Sequence, residues 1–224
     1  MGLKALANER LFILAAILLA VALAGGLSAG PAMARQLTIV ALGDSLVAGY
    51  GLADSQAFPA RLQQALRARG HDVTVVNAGV SGDTSAGGLE RLDWSVPEGA
   101  DAVIVELGAN DALRGLSPQA TRRNIAAIVG RLKARGIAVL LAGMLAPPNM
   151  GADYADAFNA VFPDIARDHD VPLYPFFLDG VAANAELVQA DGMHPTAAGI
   201  DEIVSRFLPS AERLIAQLTA QLDD

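Results

Sequence analysis

The chain has 224 residues, a formal net charge of −8 at pH 7 and no cysteine. Its length favours one domain with a sizeable core, and its acidic balance, without a basic stripe, argues against nucleic-acid binding. The lack of cysteine excludes disulfides, thiolate catalysis and cysteine-ligated zinc.

The N-terminal residues have the pattern of a secretory signal peptide. Lys4 and Arg10 precede an uninterrupted apolar run at 11–24, and the small-residue site Ala32–Ala34 follows. A basic segment, an apolar segment and an A-x-A site predict export, with cleavage leaving Arg35 as the first mature residue. The alternative is an uncleaved membrane anchor, but the run reaches the roughly 20 residues that span a bilayer only by including glycines and a serine.

This pattern divides the chain into a signal peptide at 1–34 and one domain at 35–224, in a periplasmic or secreted protein. Within the domain, apolar and β-branched runs alternate with amphipathic stretches. The runs predict five strands, Leu37–Leu42, Val73–Asn77, Ala102–Leu107, Ala138–Gly143 and Pro172–Tyr174. Strands that alternate with helices through right-handed crossovers predict a parallel sheet covered on both faces.

Two of the helical stretches carry boundary signals. Ser117 is the predicted N-cap of a helix that begins at Pro118 and stops at Gly136. A later helix, over about 153–167, is expected to bend or restart at Pro163.

Four polar motifs follow strand-like runs or lie near the end of the domain. They are Gly43–Leu46, Asn77–Gly79, Gly108–Asp111 and Asp191–Pro195. Because the carboxyl ends of parallel strands meet at one edge of a sheet, where ligands bind, we expect the first three motifs to lie near each other.

The sequences of these motifs resemble the signature blocks of the SGNH (GDSL) hydrolase superfamily. They are most similar to a bacterial periplasmic branch of multifunctional acyl-CoA thioesterases, lysophospholipases and arylesterases. The similarity covers nearly all of 37–210 and is carried by GDSLVAGYGL, VIVELGANDALRGLSP and DGMHPTAAG. The resemblance implies an α/β fold, a three-layer α/β/α sandwich with a central five-stranded parallel sheet of the flavodoxin type. It also implies a serine esterase that cleaves acyl esters and thioesters through an acyl-enzyme intermediate, without a cofactor.

A serine nucleophile needs a base, and the chain has three histidines. His71 and His169 fall in polar connections between a helix and a strand. Only His194 combines a loop setting with a carboxylate, Asp191, three residues earlier, so Ser45, His194 and Asp191 are the predicted catalytic residues. Taken alone, Asp191 could equally cap a turn beside a solvated histidine. A metal site is not predicted, because no third ligand accompanies the pair.

Acyl transfer also requires donors for the tetrahedral oxyanion. The candidates are the backbone N–H of Ser45, the backbone N–H of Gly79 and the side-chain amide of Asn110. Gly79 could instead be an ordinary turn glycine and Asn110 a turn residue, but the resemblance favours the oxyanion role for both. Asp44 and Asp111 are expected to brace the loops that carry these donors.

Apolar residues after the third and fourth strands could form an acyl groove. The candidate substrate-binding residues are Ala112, Leu113, Arg114, Leu116, Leu145, Pro147, Met150 and Tyr154. Arg114 could meet a phosphate or coenzyme A group, or could simply be solvated. Phe158 is expected to belong to the core rather than to the groove.

Two alternatives to the serine esterase are a carbohydrate O-acetylesterase of the same superfamily and a non-catalytic binding module. The single tryptophan and the apolar segment after Asn110 argue against the first, and the intact set of catalytic residues argues against the second. The expected partners are therefore small acyl esters, thioesters or lysophospholipids. We expect a monomer that does not bind nucleic acid and is not stably inserted in a membrane after signal cleavage.

Overall fold

The computed structural model describes residues 35–222, so the predicted signal peptide lies outside the described residues. The described part contains five strands, Leu37–Gly43 (β1), Val73–Gly79 (β2), Ala102–Glu106 (β3), Ala138–Ala142 (β4) and Leu173–Tyr174 (β5). Each predicted strand is present, with bounds that differ by two residues at most.

All five strands are parallel and lie in the order β2-β1-β3-β4-β5. This is the order of the flavodoxin type, in which ligands bind beyond the carboxyl ends of the strands. The register places Gly43 opposite both Gly79 and Glu106. The ends of β1, β2 and β3 therefore form one edge of the sheet, and the first three motifs begin there.

Helices cover both faces of the sheet and confirm the predicted three-layer sandwich. Within the described residues the α-helices are Ser45–Ala48 (α1), Phe58–Ala68 (α2), Ser85–Glu90 (α3), Leu92–Ser95 (α4), Ala109–Leu113 (α5), Pro118–Ala134 (α6), Ala152–Asn159 (α7), Val161–His169 (α8) and Ala197–Leu222 (α9). Short 3₁₀ helices lie at Asp54–Gln56 and Pro148–Met150. Helices α2 and α9 pack together in one layer, and α3, α6 and α8 pack together in the other.

Helix boundaries follow the sequence signals with two differences. Helix α6 begins at Pro118 and ends just before Gly136, which adopts a left-handed conformation, but the hydroxyl of Ser117 bonds the Gln119 side chain and does not cap the helix. The chain restarts as α8 at Val161, so the expected restart is present but lies two residues before Pro163. A proline in the first turn of a helix removes only an N–H that has no partner there, and Pro163 is therefore accommodated inside α8.

Helix α9 continues through Pro209. An interior proline removes a helical hydrogen bond and costs about 3 kcal/mol. Phe207 and Ala211, on either side of it, are fully buried, so packing of the helix offsets that loss. No helix within residues 35–222 is long and apolar enough to cross a membrane.

Candidate active site

Ser45 is the first residue of α1 and is separated from β1 by one residue, Asp44. Asp44 is the N-cap of this helix, and its carboxylate accepts a hydrogen bond of 3.0 Å from the N–H of Leu46. Gly49, with φ of 83°, ends the helix after a single turn. The short helix presents Ser45 at the sheet edge, and the N–H of Ser45 itself has no helical partner at this first position.

The loop before α9 carries His194 to this serine. The Nε2 atom of His194 lies 2.9 Å from the Oγ of Ser45, and its Nδ1 lies 2.7 Å from Oδ2 of Asp191. The other oxygen of Asp191 accepts the N–H groups of Met193 and His194. The structure therefore brings together all three residues that the sequence analysis selected.

The electrostatics of Asp191 fix the roles of the two imidazole nitrogens. Hydrogen bonds from the backbone N–H groups of His194 and Met193, together with the imidazole, lower the pKa of Asp191 to about 2. An ionised carboxylate can only accept, so Nδ1 carries the proton and donates to it. Nε2 is then left as the acceptor for the hydroxyl proton of Ser45, which is the arrangement that a general base requires.

The other two histidines lie elsewhere. His71 is 3.6 Å from the carboxylate of Glu212 on α9, and the carbonyl of His169 accepts a hydrogen bond from the side chain of Lys133. Neither histidine lines the cavity described below.

Asn110, the second residue of α5, lines the same cavity as Ser45. One N–H of its amide donates to Oδ2 of Asp44 over 3.0 Å. The amide is therefore held by the residue that also caps α1, and its second N–H can serve a ligand. This geometry suits an oxyanion donor.

Gly79 does not occupy the expected position. Its N–H donates to Oδ1 of Asn77 over 2.9 Å, and the residue lines a separate polar cavity that also contains Asp54 and Gln63. The close approach of Ala48 explains why a glycine is needed here, since a Cβ would collide with its backbone. Gly79 is thus a close-packing residue in the last pair of β1 and β2, and its N–H is engaged by Asn77.

The turn after β2 offers a free backbone donor instead. Asp83 N–H bonds the Val80 carbonyl to close this turn, and Gly82 within it has φ of 84°. The Gly82 carbonyl accepts Nη2 of Arg114 over 2.7 Å, while its N–H donates to no acceptor within residues 35–222. In the sequence, Ser81-Gly82-Asp83 indicates this turn, but Gly79, at the end of the strand, was predicted as the donor instead.

Two buried carboxyl groups, those of Asp44 and Glu106, lie next to the segment that carries Ser45. Burial raises the pKa of Asp44 to about 6, although hydrogen bonds from Leu46 and Asn110 act in the opposite direction. Burial also raises the pKa of Glu106, at the end of β3, well above its usual range. One oxygen of Glu106 accepts the Asp44 N–H, and the other has no hydrogen-bond partner within residues 35–222. Gly43 leaves the space for this carboxyl, since a Cβ at position 43 would lie 2.7 Å from Oε2 of Glu106.

Asp111 braces the neighbouring helices, as expected. Its carboxylate accepts the N–H and hydroxyl of Ser85 on α3 and the hydroxyl of Thr121 on α6. These bonds fix α5, and with it Asn110, against the two helices.

Arg91, between α3 and α4, is a further residue of the site and was not predicted from the sequence. Its buried guanidinium donates to the carbonyls of Gly43 and Ala78 over 2.8 Å and pairs with Asp83. It therefore ties the ends of β1 and β2 to the turn that carries Gly82. Nothing in its sequence neighbourhood distinguishes it from a solvated arginine.

A cavity of about 450 Å³ opens beside Ser45, Asn110 and His194. Among the described residues, no Asp, Glu, Lys or Arg lines it, and most of the lining side chains are apolar. The remaining lining residues are Leu46, Ala109, Leu113, Met144, Leu145, Ala146, Pro147, Pro148, Phe176, Leu178, Val181, Ala182, Ala183, Val188, Gly192 and Met193.

Three of the eight candidate substrate-binding residues, Leu113, Leu145 and Pro147, line this cavity. The other five lie outside its lining: Ala112, Arg114, Leu116, Met150 and Tyr154.

Their contacts explain why. Ala112 is buried in the core, Arg114 holds Gly82, and the Tyr154 hydroxyl donates to the Leu116 carbonyl over 2.8 Å. Tyr154 also stacks on Phe158, which is fully buried as expected.

The wall that the sequence analysis missed comes from the segment after β5. Phe176, Leu178, Val181 and Val188 line the cavity from this side. The available signal was an apolar stretch following a fifth strand, at the same edge of the sheet as the other motifs.

The comparisons with known proteins agree with this geometry. The sequence pattern of the GDSL-like lipase/acylhydrolase family matches residues 41–201. Esterase TesA of Pseudomonas aeruginosa is 42% identical over 179 residues, which cover 80% of this chain and 89% of that protein. Thioesterase 1/protease 1/lysophospholipase L1 of Escherichia coli K12 is 42% identical over 159 residues, covering 70% and 75%. A crystal structure of TesA superposes with a TM-score of 0.76 and covers 79% of this chain and 99% of its own.

Proposed function

Because the chain belongs to the GDSL-like lipase/acylhydrolase family and is a serine hydrolase acting on esters, we propose that it forms an acyl-enzyme on Ser45. The observation that carries this proposal is the chain of two hydrogen bonds from Ser45 through His194 to Asp191, at the mouth of an apolar cavity.

In the first half-reaction, Oγ of Ser45 attacks the carbonyl carbon while Nε2 of His194 takes the hydroxyl proton. Asp191 stabilises the imidazolium that results. Collapse of the tetrahedral intermediate breaks the bond to the alcohol or thiol, which leaves with the proton from His194. Water then attacks the acyl-enzyme by the same steps and releases the carboxylic acid.

The oxyanion of the intermediate needs fixed donors, which usually give the largest single contribution to catalysis. We assign this role to the N–H of Ser45, the N–H of Gly82 and the free amide N–H of Asn110. The free N–H of Gly82, and the engagement of the Gly79 N–H by Asn77, support Gly82 over Gly79. In a crystal structure of a phosphonate adduct, a phosphoryl oxygen bound by Gly79 rather than Gly82 would overturn this assignment.

The proposed substrates are acyl esters and thioesters with an apolar acyl chain, including aryl esters, acyl-CoA and lysophospholipids. The apolar cavity beside Ser45 supports the acyl chain, and the names of the relatives support the range of leaving groups. A sugar acetylesterase is not favoured, since the exposed Trp94 lies outside this cavity and Phe176 is its one aromatic wall besides His194. Turnover of p-nitrophenyl laurate as well as acetate separates the proposal from the acetylesterase, which would cleave the acetate alone.

The nucleophile is tested with Ser45→Ala. This variant should lose turnover of p-nitrophenyl esters entirely while keeping its melting temperature, because no other group can form the acyl-enzyme. In the unmodified protein, a phosphonate or phenylmethylsulfonyl fluoride should label one peptide, the one that contains Ser45. Full activity of the variant, or an adduct on another residue, contradicts the proposal.

We also propose that the protein is exported to the periplasm or beyond and that cleavage leaves Arg35 at its N-terminus. The support is the sequence pattern of a signal peptide at 1–34. N-terminal sequencing of the protein from a periplasmic fraction should find Arg35, whereas an intact Met1 in a membrane fraction would indicate an anchor.

A further inference from the structure

Ser45 begins the segment 45–51, the nucleophile loop, which includes the single turn of α1. His194 lies in the segment 189–195, the histidine loop, 149 residues from Ser45 along the chain. In the nucleophile loop, the Tyr50 N–H donates to the Ser45 carbonyl over 3.1 Å. A single side-chain hydrogen bond of 2.9 Å joins the two catalytic groups directly. Some further contact has to hold the loops in register if this bond is to persist through turnover.

The side-chain amide of Gln189 makes that contact. Its Nε2 donates to the Tyr50 carbonyl over 2.7 Å and to the Pro195 carbonyl over 2.9 Å. One acceptor lies five residues after Ser45 and the other lies directly after His194. Both hydrogens of the amide are used, and they bridge the nucleophile loop and the histidine loop.

The orientation of this amide is fixed by its surroundings. Both neighbours of Nε2 are carbonyl oxygens, which can only accept, so the nitrogen has to face them. Oε1 then points to Gly51, where φ is 75° and a Cβ would collide with it. The glycine allows the backbone of the nucleophile loop to approach the Gln189 side chain this closely.

The backbone of Gln189 is also part of the histidine loop. Its N–H donates to the His194 carbonyl over 2.7 Å, and its carbonyl accepts the Gly192 N–H over 2.9 Å. Gln189 therefore closes the loop that contains Asp191 and His194, and it attaches this closed loop to the loop of Ser45. The Tyr50 ring lies against the His194 imidazole in a tilted arrangement, with a centroid separation of 4.5 Å.

We propose that Gln189 is a positioning residue that keeps Nε2 of His194 in line with Oγ of Ser45. It acts through the two loops and does not touch the reacting atoms. The inference rests on the catalytic roles proposed above for Ser45 and His194. A displacement of about 1 Å between reacting groups can cost about 100-fold in rate, so loosening the bridge should lower the rate of the acylation step.

The test compares Gln189→Met, which keeps the length of the side chain and removes its donors, with Gln63→Met as a control. Gln63 is also half-buried and bonds the backbone, accepting the Val75 N–H over 2.9 Å, but it lies away from the histidine loop. For each protein, active sites are titrated with a phosphonate, and kcat and KM for p-nitrophenyl butyrate are measured per titrated site. Counting titrated sites matters because a merely structural role would reduce the number of active molecules and leave kcat per site unchanged.

Gln189→Met is expected to lower kcat per titrated site by about 10- to 100-fold with KM within about twofold, whereas Gln63→Met should keep both values. Gln189→Asn keeps the amide but is one methylene too short to reach both carbonyls, so it should show the same loss, and it decides the question if the methionine variant does not fold. A folded Gln189 variant with unchanged kcat per site overturns the inference. If the unmodified protein is inactive, or Ser45→Ala remains active, the proposed function has failed instead.

Discussion

At the scale of single residues, Asp44 connects the proposed nucleophile, Ser45, to the proposed oxyanion donor, Asn110. Its carboxylate caps α1 through Leu46 and holds the amide of Asn110, so one buried group orients both ends of the proposed chemistry. Burial raises the pKa of Asp44 to about 6, which means that the fold places a poorly solvated carboxyl group here. The desolvation cost of a buried carboxyl group is typical of functional sites.

Asn110→Ala should lower kcat by roughly 10²–10³, because one oxyanion donor is lost. KM should change much less, since the donor acts mainly on the transition state. Steady-state kinetics with a p-nitrophenyl ester provide the measurement. Asn184→Ala is the matched control, because this exposed amide accepts the Glu186 N–H and lies outside the cavity lining. A variant that loses substrate affinity at constant kcat would show that Asn110 is a binding residue.

At the scale of elements, buried polar side chains hold the carboxyl ends of β1, β2 and β3. Strand β3 ends in Glu106, a charged residue type inside a fully buried strand, and Gly43 on β1 makes room for its side chain. Arg91 fastens the ends of β1 and β2 from the other side through their carbonyls. The edge that presents Ser45 is therefore held by buried polar groups rather than by apolar packing alone, which makes its stability sensitive to pH.

Glu106→Gln should remove much of that sensitivity. A carboxyl group with a raised pKa in the folded state contributes stability below its unfolded pKa, near 4.5, and this contribution is lost as pH rises toward its folded pKa. The free energy of unfolding of the variant, measured in urea, should therefore rise relative to the unmodified protein between pH 5 and pH 9, by at most about 1.4 kcal/mol per pH unit.

The control for this experiment is Glu98→Gln, the same substitution at an exposed position, against which the pH-dependent difference at Glu106 is compared. The amide introduced at position 106 could itself lack a partner, but that would change stability equally at each pH. A difference between the Glu106 variant and the unmodified protein that stays constant from pH 5 to pH 9 would falsify the buried-carboxyl explanation.

At the scale of the whole molecule, the cavity is assembled from distant parts of the chain. Leu113 follows β3, Leu145 follows β4, Phe176 and Val181 follow β5, and Met193 precedes α9. Parallel strands bring these loops to one edge, so the acyl site is a product of the topology rather than of any one segment.

Leu113→Asp should therefore depress turnover of medium-chain esters far more than turnover of acetate. Each buried acyl methylene is worth about 0.8 kcal/mol, so a charge in the cavity should lower kcat/KM for an octanoyl ester by more than about tenfold relative to the acetyl ester. Measuring both substrates separates loss of the acyl site from general damage, which would lower both together.

Met150→Asp is the matched control, since Met150 follows the same strand as Leu145 but lies outside the cavity and packs near Gly115. Its octanoyl-to-acetyl ratio should stay close to that of the unmodified protein. Equal loss of both substrates in Leu113→Asp, or a shifted ratio in Met150→Asp, would contradict this assignment of the cavity wall.

The sequence by itself determined the strands and the three-layer fold, because periodicity and turn residues act over short distances. It also selected Asp191 with His194, since three residues within one tight loop constrain where a carboxylate can reach. Ser45 and Asn110 each follow a strand end, where the topology of a parallel sheet concentrates functional groups, and the resemblance to the GDSL family selected them among the residues there.

Only the tertiary structure decided which neighbours these residues have. The Gly79 N–H is engaged by Asn77, Arg91 is buried under the sheet edge, and Gln189 bridges two loops that are far apart in sequence. The contacts of Arg91 and Gln189 join segments that are far apart in sequence. The Gly79 N–H depends instead on which of its nearby acceptors forms the hydrogen bond. Residue type and spacing do not specify either, because the same side chain is solvated or buried according to what the rest of the chain packs against it.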